Sequence, residues 1–224
     1  MDTAKRRIHP GLMLAVLLTG PFMAQADATI VNVAVPSVHA GLGASGAVLQ
    51  LVVGGYLIAV AMLLITGARL GQAYGYRRAF VAGVSVFTLA SLACGLAPDP
   101  AVLVIARILQ GAGAGVMFPQ TMTGIQLHFT GQDRVRAIGR YALALSSGAV
   151  SGQILGGVLV SADVAGLGWR AVFLVNVPVG VAAVAAALRF LPADGGREAR
   201  LDLAGAGLLA VAALLLVVPL TLGS

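Results

Sequence analysis

Two ionisable side chains, Asp27 and Arg107, lie inside long apolar stretches of this sequence. A charge at membrane depth is unfavourable, so such residues usually have a functional reason. Desolvation favours the protonated form of a carboxylate and a nearby cation favours the ionised form, so protonation can follow conformation. Asp27 has the chemistry of such a proton carrier, with Arg107 as the modulating charge. A fixed structural ion pair would use the same two residues, and both interpretations stay open.

Turn signals indicate that the two residues lie at a similar depth. Asp27 precedes Pro36, which ends one apolar stretch, by nine residues, and Arg107 follows Ala101, which begins another, by six. At about 1.5 Å per residue these separations are about 13 Å and about 9 Å, which differ by less than one helical turn. We therefore expect the two charges to meet inside the bundle, with Gln110 on the same face as Arg107.

The composition predicts the helices that carry these residues. Of 224 residues, 59% are hydrophobic and only 10% are charged, whereas soluble domains average about 25% charged residues. A spanning helix needs about 20 mostly apolar residues. The sequence thus predicts an all-α polytopic transmembrane bundle, with seven spans at residues 11–35, 49–68, 79–97, 101–125, 138–161, 171–190 and 203–222.

The basic residues predict the orientation of the bundle. Lys and Arg in short loops are retained on the cytoplasmic side, and twelve of the fourteen basic residues agree with a cytoplasmic amino terminus in the cell membrane. Arg107 and Arg170 are the exceptions. The predicted organisation is a cytoplasmic amino terminus (1–10), a six-span bundle (11–192), a cytoplasmic linker (193–202) and a seventh span (203–224).

The amino-terminal segment also has features of a cleavable secretory signal. Basic residues at 5–7 precede an apolar stretch and the small-residue site 24–26. The apolar stretch continues to Val35 and further spans follow it, which favours a first span that is retained.

Several functional classes find no support. The net charge of +6 comes from small basic groups without interleaved aromatic residues, so no nucleic-acid partner is predicted. Cys94 is the only cysteine, and the three histidines are scattered over different loops, so neither a metal nor another cofactor is predicted. The run 111–115 fails as a dinucleotide loop because Val116 occupies the third glycine position. No nucleophile, base and oxyanion set indicates an enzyme.

Five segments, in this order, resemble signatures of the major facilitator superfamily, specifically of its fourteen-span drug/proton antiporters. The resemblance implies export of amphipathic small molecules in exchange for protons, by alternating access between two six-helix halves. It covers nearly all of the chain, which corresponds to the amino-terminal half plus one extra span. The segments are residues 27–36, 67–78, 107–113, 148–157 and 169–180.

The resemblance also implies roles for three groups of residues. Proton coupling is implied for Asp27 and Arg107. Gating by the loop between the second and third spans is implied for Gly67, Gly71, Gln72, Gly75, Arg77 and Arg78. Close helix packing in the fifth-span antiporter motif is implied for Gly148, Gly152, Gly156 and Gly157. Glycines at every fourth position permit close backbone approach, which serves static packing or sliding helices equally.

This sequence departs from the family pattern in ways that affect the expected function. Gln72 replaces the usual loop aspartate, which would pair with neighbouring arginines and hold the inward side closed, and Ala73 and Gln153 replace a basic residue and a proline. Because the chain matches only one half, a carboxy-terminal half or a second copy is expected as partner beside the lipid bilayer, the substrate and protons. The alternative is an inactive or regulatory membrane fragment.

Overall fold

The computed structural model describes residues 9–163 and 166–196, and all of its regular elements there are helical. Six helical segments in this part of the chain are long and apolar enough to cross a membrane, so the predicted all-α transmembrane bundle is confirmed. The predicted seventh span lies outside the described residues. The helices are α1 (Pro10–Leu42), α2 (Gly46–Tyr74), α3 (Tyr76–Gly95), α4 (Pro100–His128), α5 (Gly131–Ser161), α6 (Ala171–Leu174) and α7 (Asn176–Phe190).

The sixth span consists of three consecutive helical pieces. A 3-10 turn at Gly168–Arg170 leads into α6, and α7 follows after Val175, so that Gly168–Phe190 forms one span. Pro178 lacks a backbone N–H and cannot donate to the carbonyl four residues earlier, at Leu174. The helical hydrogen-bond ladder is therefore interrupted where α6 meets α7.

Several helices are longer than the sequence predicted. Helix α1 continues through Pro36 and ends at Leu42. It is capped by Gly43, which has a φ of 61° and donates its backbone N–H to the His39 carbonyl. Proline is accepted inside a membrane helix when neighbouring groups satisfy the freed backbone. The predicted gaps between spans at 69–78 and 126–137 shrink to Gly75 and to residues 129–130. Polar residues mark the end of the apolar layer there, and the helices continue beyond it.

Helix α4 packs closely against two neighbours through its glycines. Gly111 and Gly115 face backbone atoms of α2, and Gly113 faces Gly83 and Phe87 of α3. A Cβ atom at any of these three glycines would overlap a facing backbone atom. This absence of side chains lets α4 sit between α2 and α3 with its backbone nearly touching theirs.

The fifth-span glycines form the interface between α5 and α1. Gly148, Gly152 and Gly156 face Phe22, Ala26 and Ile30 in turn, one helical turn apart. The Thr29 hydroxyl donates to the Ala149 carbonyl across the same interface at 2.9 Å. Gly157 does not share this contact, because one residue further along a helix points about 100° away, and a Cβ there would meet nothing within 4 Å.

The two ends of the bundle differ in charge. At one end, the Tyr76 hydroxyl is hydrogen-bonded to His128 Nε2 at 3.0 Å and the Tyr76 backbone N–H donates to Asp194 at 2.8 Å, which brings the start of α3 to the ends of α4 and α7. At the other end, Trp169 packs over Gly41 and Arg170 donates to the Ala97 carbonyl. The first end carries most of the described arginines, namely Arg69, Arg77, Arg78, Arg134, Arg136, Arg140 and Arg189.

Replacing Gly152 with leucine is expected to destabilise the bundle, because the new side chain would overlap the Ala26 carbonyl and the Thr29 hydroxyl. Overpacking of this kind typically costs about 1–3 kcal/mol. Thermal unfolding in detergent micelles, followed by circular dichroism, should show a lower midpoint. Gly157→Leu is the matched control on the same helix, since its side chain enters open space. An equal loss of stability in both variants would contradict the α1–α5 interface.

Candidate functional site

A group of polar side chains lies between four helices in the interior of the bundle. Each of them is at most 7% exposed, although their surroundings are apolar. Buried polar groups of this kind persist only where they satisfy one another's hydrogen bonds. We call this group the polar cluster; it consists of Asp27 on α1, Ser91 on α3, Arg107 and Gln110 on α4, and Asn176 on α7.

The structure brings Asp27 and Arg107 into contact, as the depth comparison predicted. Arg107 Nη1 donates to Asp27 Oδ2 at 2.5 Å, and both side chains are at most 1% exposed. Arg107 Nε donates to the Val52 carbonyl of α2 at 3.0 Å, and Nη1 also donates to Gln110 Oε1 at 2.8 Å. The guanidinium carbon lies 4.3 Å from the centre of the Tyr56 ring, in cation–π geometry. The cation is thus held from α1, α2 and α4 together.

The second carboxylate oxygen of Asp27 accepts from two amides. Gln110 Nε2 donates to Oδ1 at 2.7 Å and Asn176 Nδ2 donates to it at 2.8 Å. Both amides also contact Ser91 Oγ, at 3.1 and 3.2 Å, and the Ser91 hydroxyl donates to the Phe173 carbonyl at 2.8 Å. The carboxylate therefore ties the sixth span to α1, α3 and α4.

Neither Asn176 nor Ser91 was predicted from the sequence to belong to the site. Asn176 lies within the family-like segment 169–180, in an apolar span and two residues before Pro178. A polar side chain inside a predicted span could have indicated that Asn176 belongs to the site, because a buried amide needs hydrogen-bond partners. Its partner, however, lies 149 residues earlier in the chain.

In this arrangement, protonation of Asp27 would change the free energy of the whole polar cluster. A buried ion pair is internally neutral, but loss of one charge leaves the other uncompensated at a cost of about 3–5 kcal/mol. A proton on Asp27 would leave Arg107 in that position unless the guanidinium moves or becomes hydrated. The geometry accommodates both a static ion pair and a site at which proton uptake drives a rearrangement.

The thiol of Cys94 adjoins the polar cluster. Its sulfur lies 3.6 Å from Gln110 Oε1, and the side chain is fully buried in the apolar packing between α3 and α4. Within residues 9–163 and 166–196, no group of three or more His, Cys, Asp or Glu side chains is placed to hold a metal ion.

The glycines of the predicted gating motif pack α2 against α4 and the end of α7. Gly67 faces Gly115, and Gly71 faces the Gln120 side chain, whose Nε2 donates to the Gly67 carbonyl at 2.7 Å. Gly75 has a φ of 91°, which disfavours any side chain, and it forms the whole turn between α2 and α3. The motif glycines therefore set the distance between helices at the basic end.

The polar residues of the same motif lie at the rim. Gln72 and Arg78 are exposed. The Arg77 side chain donates to the Leu188 carbonyl near the end of α7. Because Gln72 carries no charge, it cannot form an ion pair with the neighbouring arginines. Arg77 is instead hydrogen-bonded to a backbone carbonyl.

A carboxylate from elsewhere reaches this turn. Asp194 follows α7, and its two oxygens accept from the backbone N–H groups of Tyr76 and Arg77 at 2.8 and 3.3 Å. These N–H groups begin α3, where the helix dipole favours negative charge. Asp194 was predicted to lie in a linker, and its contact with α3 was not predicted, because only the fold brings residue 194 to residue 76. Asp194 supplies a negative charge at the turn where Gln72 supplies none.

Asp194→Ala is expected to loosen the start of α3, because loss of a capping carboxylate typically costs about 0.5–2 kcal/mol. Hydrogen–deuterium exchange of the peptide that begins at Tyr76 should become faster. Asp133→Ala is the matched control, since Asp133 lies in the first turn of α5 with an exposed partner, Arg136, and should leave α3 unchanged. Unaltered exchange at α3 in the Asp194 variant would contradict the cap.

Comparisons with known proteins relate this chain to a family. The sequence pattern of the Major Facilitator Superfamily matches residues 17–222. The chain is 42% identical to a probable actinorhodin transporter of Streptomyces coelicolor, over 94% of this chain and 36% of that protein. It is 44% identical to the cephamycin export protein CmcT of Amycolatopsis lactamdurans, over 94% of this chain and 42% of that protein.

A solved structure shows the same fold. The proton:xylose symporter XylE superposes on 91% of this chain and 48% of its own length with a TM-score of 0.70, at 15% sequence identity. The chain spans about two fifths of the length of these two curated relatives. The family resemblance inferred from the five motifs is confirmed. The chain belongs to the major facilitator superfamily, a family of membrane transporters and not of enzymes.

Proposed function

We propose that this chain forms the amino-terminal part of a transporter that exports amphipathic small molecules in exchange for protons. The observation that carries the proposal is the buried contact between Asp27 and Arg107 inside a membrane bundle. The relatives support export, since two of them are named for actinorhodin transport and cephamycin export. Those names suggest antibiotic-like compounds as the substrate class.

Proton coupling follows from the difference between two states of the pair. Ionised Asp27 neutralises Arg107 and favours the closed packing of α1 against α4. Protonated Asp27 leaves Arg107 without a counter-charge, which favours a conformation in which water reaches the guanidinium. A ligand or proton shifts a conformational equilibrium only by its differential affinity for the two states, and this pair provides such a difference.

The distribution of arginines supports an amino terminus in the cytoplasm. The start of α1 lies at the arginine-rich end of the bundle, where the Thr121 hydroxyl donates to the Leu17 carbonyl and Gly124 packs against Leu17 and Tyr76. Positive residues are retained on the cytoplasmic side of the plasma membrane. The opposite end, with Trp169 and Arg170, then faces outward.

A complete transport path requires more than the described bundle. Transporters of this kind bind substrate between two halves related by an axis along the membrane normal, and this chain spans about two fifths of its relatives. We propose that a carboxy-terminal half or a second copy completes the path. A membrane fragment without transport activity is the second candidate, because the described residues supply one bundle of six spans and not two.

Asp27→Asn should abolish proton-driven transport, because asparagine does not titrate. Asparagine keeps the shape of the side chain, so we expect a folded bundle that is less stable because Arg107 has lost its counter-charge. The measurement is ethidium movement in liposomes that contain the 224-residue chain, with and without a pH gradient. We expect gradient-dependent movement for the wild type only. Asn32→Leu, at an exposed polar residue of the same helix, is the control for a substitution in α1.

Two other results would count against the proposal. Equal ethidium movement in the wild type and in the Asp27 variant would contradict proton coupling at Asp27. Absence of movement in every sample, from protein that circular dichroism shows to be folded, would favour the fragment without transport activity.

A further inference from the structure

Asn176 is the residue through which the sixth span contacts the Asp27 carboxylate. Its Nδ2 donates to Asp27 Oδ1 at 2.8 Å and contacts Ser91 Oγ at 3.2 Å. It is the first residue of α7, directly after the interruption that Pro178 causes in the helical ladder. A side chain at that interruption can move the start of α7 without breaking a continuous helix.

Protonation changes what the carboxyl group of Asp27 requires from its neighbours. The ionised group accepts from Arg107 on Oδ2 and from Gln110 and Asn176 on Oδ1. The neutral acid carries one O–H donor, which needs an acceptor. Among the three groups that donate to the carboxylate, Arg107 has no acceptor atom, so the acceptor comes from one of the two amides, turned to present its oxygen.

Only one of the two amides is free to turn. The Gln110 oxygen accepts from Arg107 Nη1 at 2.8 Å and lies 3.6 Å from the Cys94 sulfur. Within residues 9–163 and 166–196, no hydrogen bond reaches the side-chain oxygen of Asn176. A turn of the Asn176 amide gives the Asp27 O–H its acceptor, and it also moves Nδ2 away from Ser91.

None of the ionisable groups around Asp27 comes from the sixth span within residues 171–188, so the Asn176 amide is the group of that span that can respond to a proton on Asp27. Arg107 faces the carboxylate from α4, Tyr56 from α2 and Cys94 from α3. Helix α5 contributes no ionisable side chain between residues 142 and 161, and the sixth span contributes none between residues 171 and 188. The contact of the sixth span with Asp27 is therefore a hydrogen bond and not an ion pair.

We propose that Asn176 is a positioning residue that transmits the protonation of Asp27 to the sixth span. The proposal rests on the proposed function, in which Asp27 takes up a proton. Ionised Asp27 holds the start of α7 against α1 and α3. When Asp27 is protonated, the turned amide keeps a hydrogen bond to Asp27 on α1 but loses its contact with Ser91, which releases the start of α7 from α3. Asn176 is connected to Trp169 through Ser91 and Phe173. The Ser91 hydroxyl donates to the Phe173 carbonyl, and the Phe173 ring meets the Trp169 ring edge-on at 6.1 Å.

Trp169 offers a reporter of this movement, because it is the only tryptophan of the chain and lies at the start of the sixth span. Its fluorescence is recorded against pH for the full chain in detergent micelles. The infrared C=O stretch of the carboxylic acid, taken as the difference between wild type and Asp27→Asn, follows Asp27 itself in parallel samples. His39 and Asp163 also lie near this end, and the pH response that persists in Asp27→Asn measures their contribution.

The expected result is a wild-type fluorescence change that shares its midpoint with the Asp27 infrared band. Asn176→Leu should lose the Asp27-dependent part of the fluorescence change while the infrared band still titrates. Asn176→Ala gives the same test with a smaller side chain should leucine impair folding. Asn32→Leu, at the only other asparagine of the chain, should keep the full wild-type response.

The outcomes separate the two proposals. An Asp27 band that titrates, with a fluorescence change that survives in both Asn176 variants, would overturn the role of Asn176 and leave proton uptake intact. A titrating band without any Asp27-dependent fluorescence change in the wild type would overturn it as well. An Asp27 band that does not titrate would overturn the proposed proton function itself.

Discussion

The burial of Asp27 and Arg107 requires that the two charges stay in contact, because either one alone in an apolar interior would be strongly destabilising. The two residues lie 80 positions apart and on different helices, so their contact fixes α1 against α4. Gln110, Ser91 and Asn176 then satisfy the remaining polar atoms of the pair. The same requirement makes proton uptake and helix movement inseparable in the proposed mechanism.

The contact depends on backbones that approach closely. Gly111 and Gly113 bring α4 against α2 and α3, and Gly152 brings α5 against α1 next to Asp27. In a membrane the association of helices comes mainly from such packing and from hydrogen bonds between helices. Close packing therefore positions the charges, and the charges in turn select one arrangement of the packed helices.

The sequence allowed the spans and the Asp27–Arg107 contact to be predicted, because apolar length and helical rise are local properties. Helix ends were predicted less well, since polar residues such as Gln72 and Asp133 mark the limit of the apolar layer and not the limit of the helix. The contacts of Asn176 and Asp194 were missed. They join residues more than 100 positions apart, and no local periodicity records such pairs.

A double-mutant cycle on Asp27→Asn and Arg107→Gln tests the dependence of the bundle on this pair most directly. The free energy of unfolding is measured for both single variants and for the double variant in mixed detergent micelles. Residues in direct contact are expected to show a coupling energy of about 0.5–3 kcal/mol, with the double variant more stable than the sum of the single losses. Additive losses, within about 0.5 kcal/mol, would show that the two charges act independently and would contradict their central role.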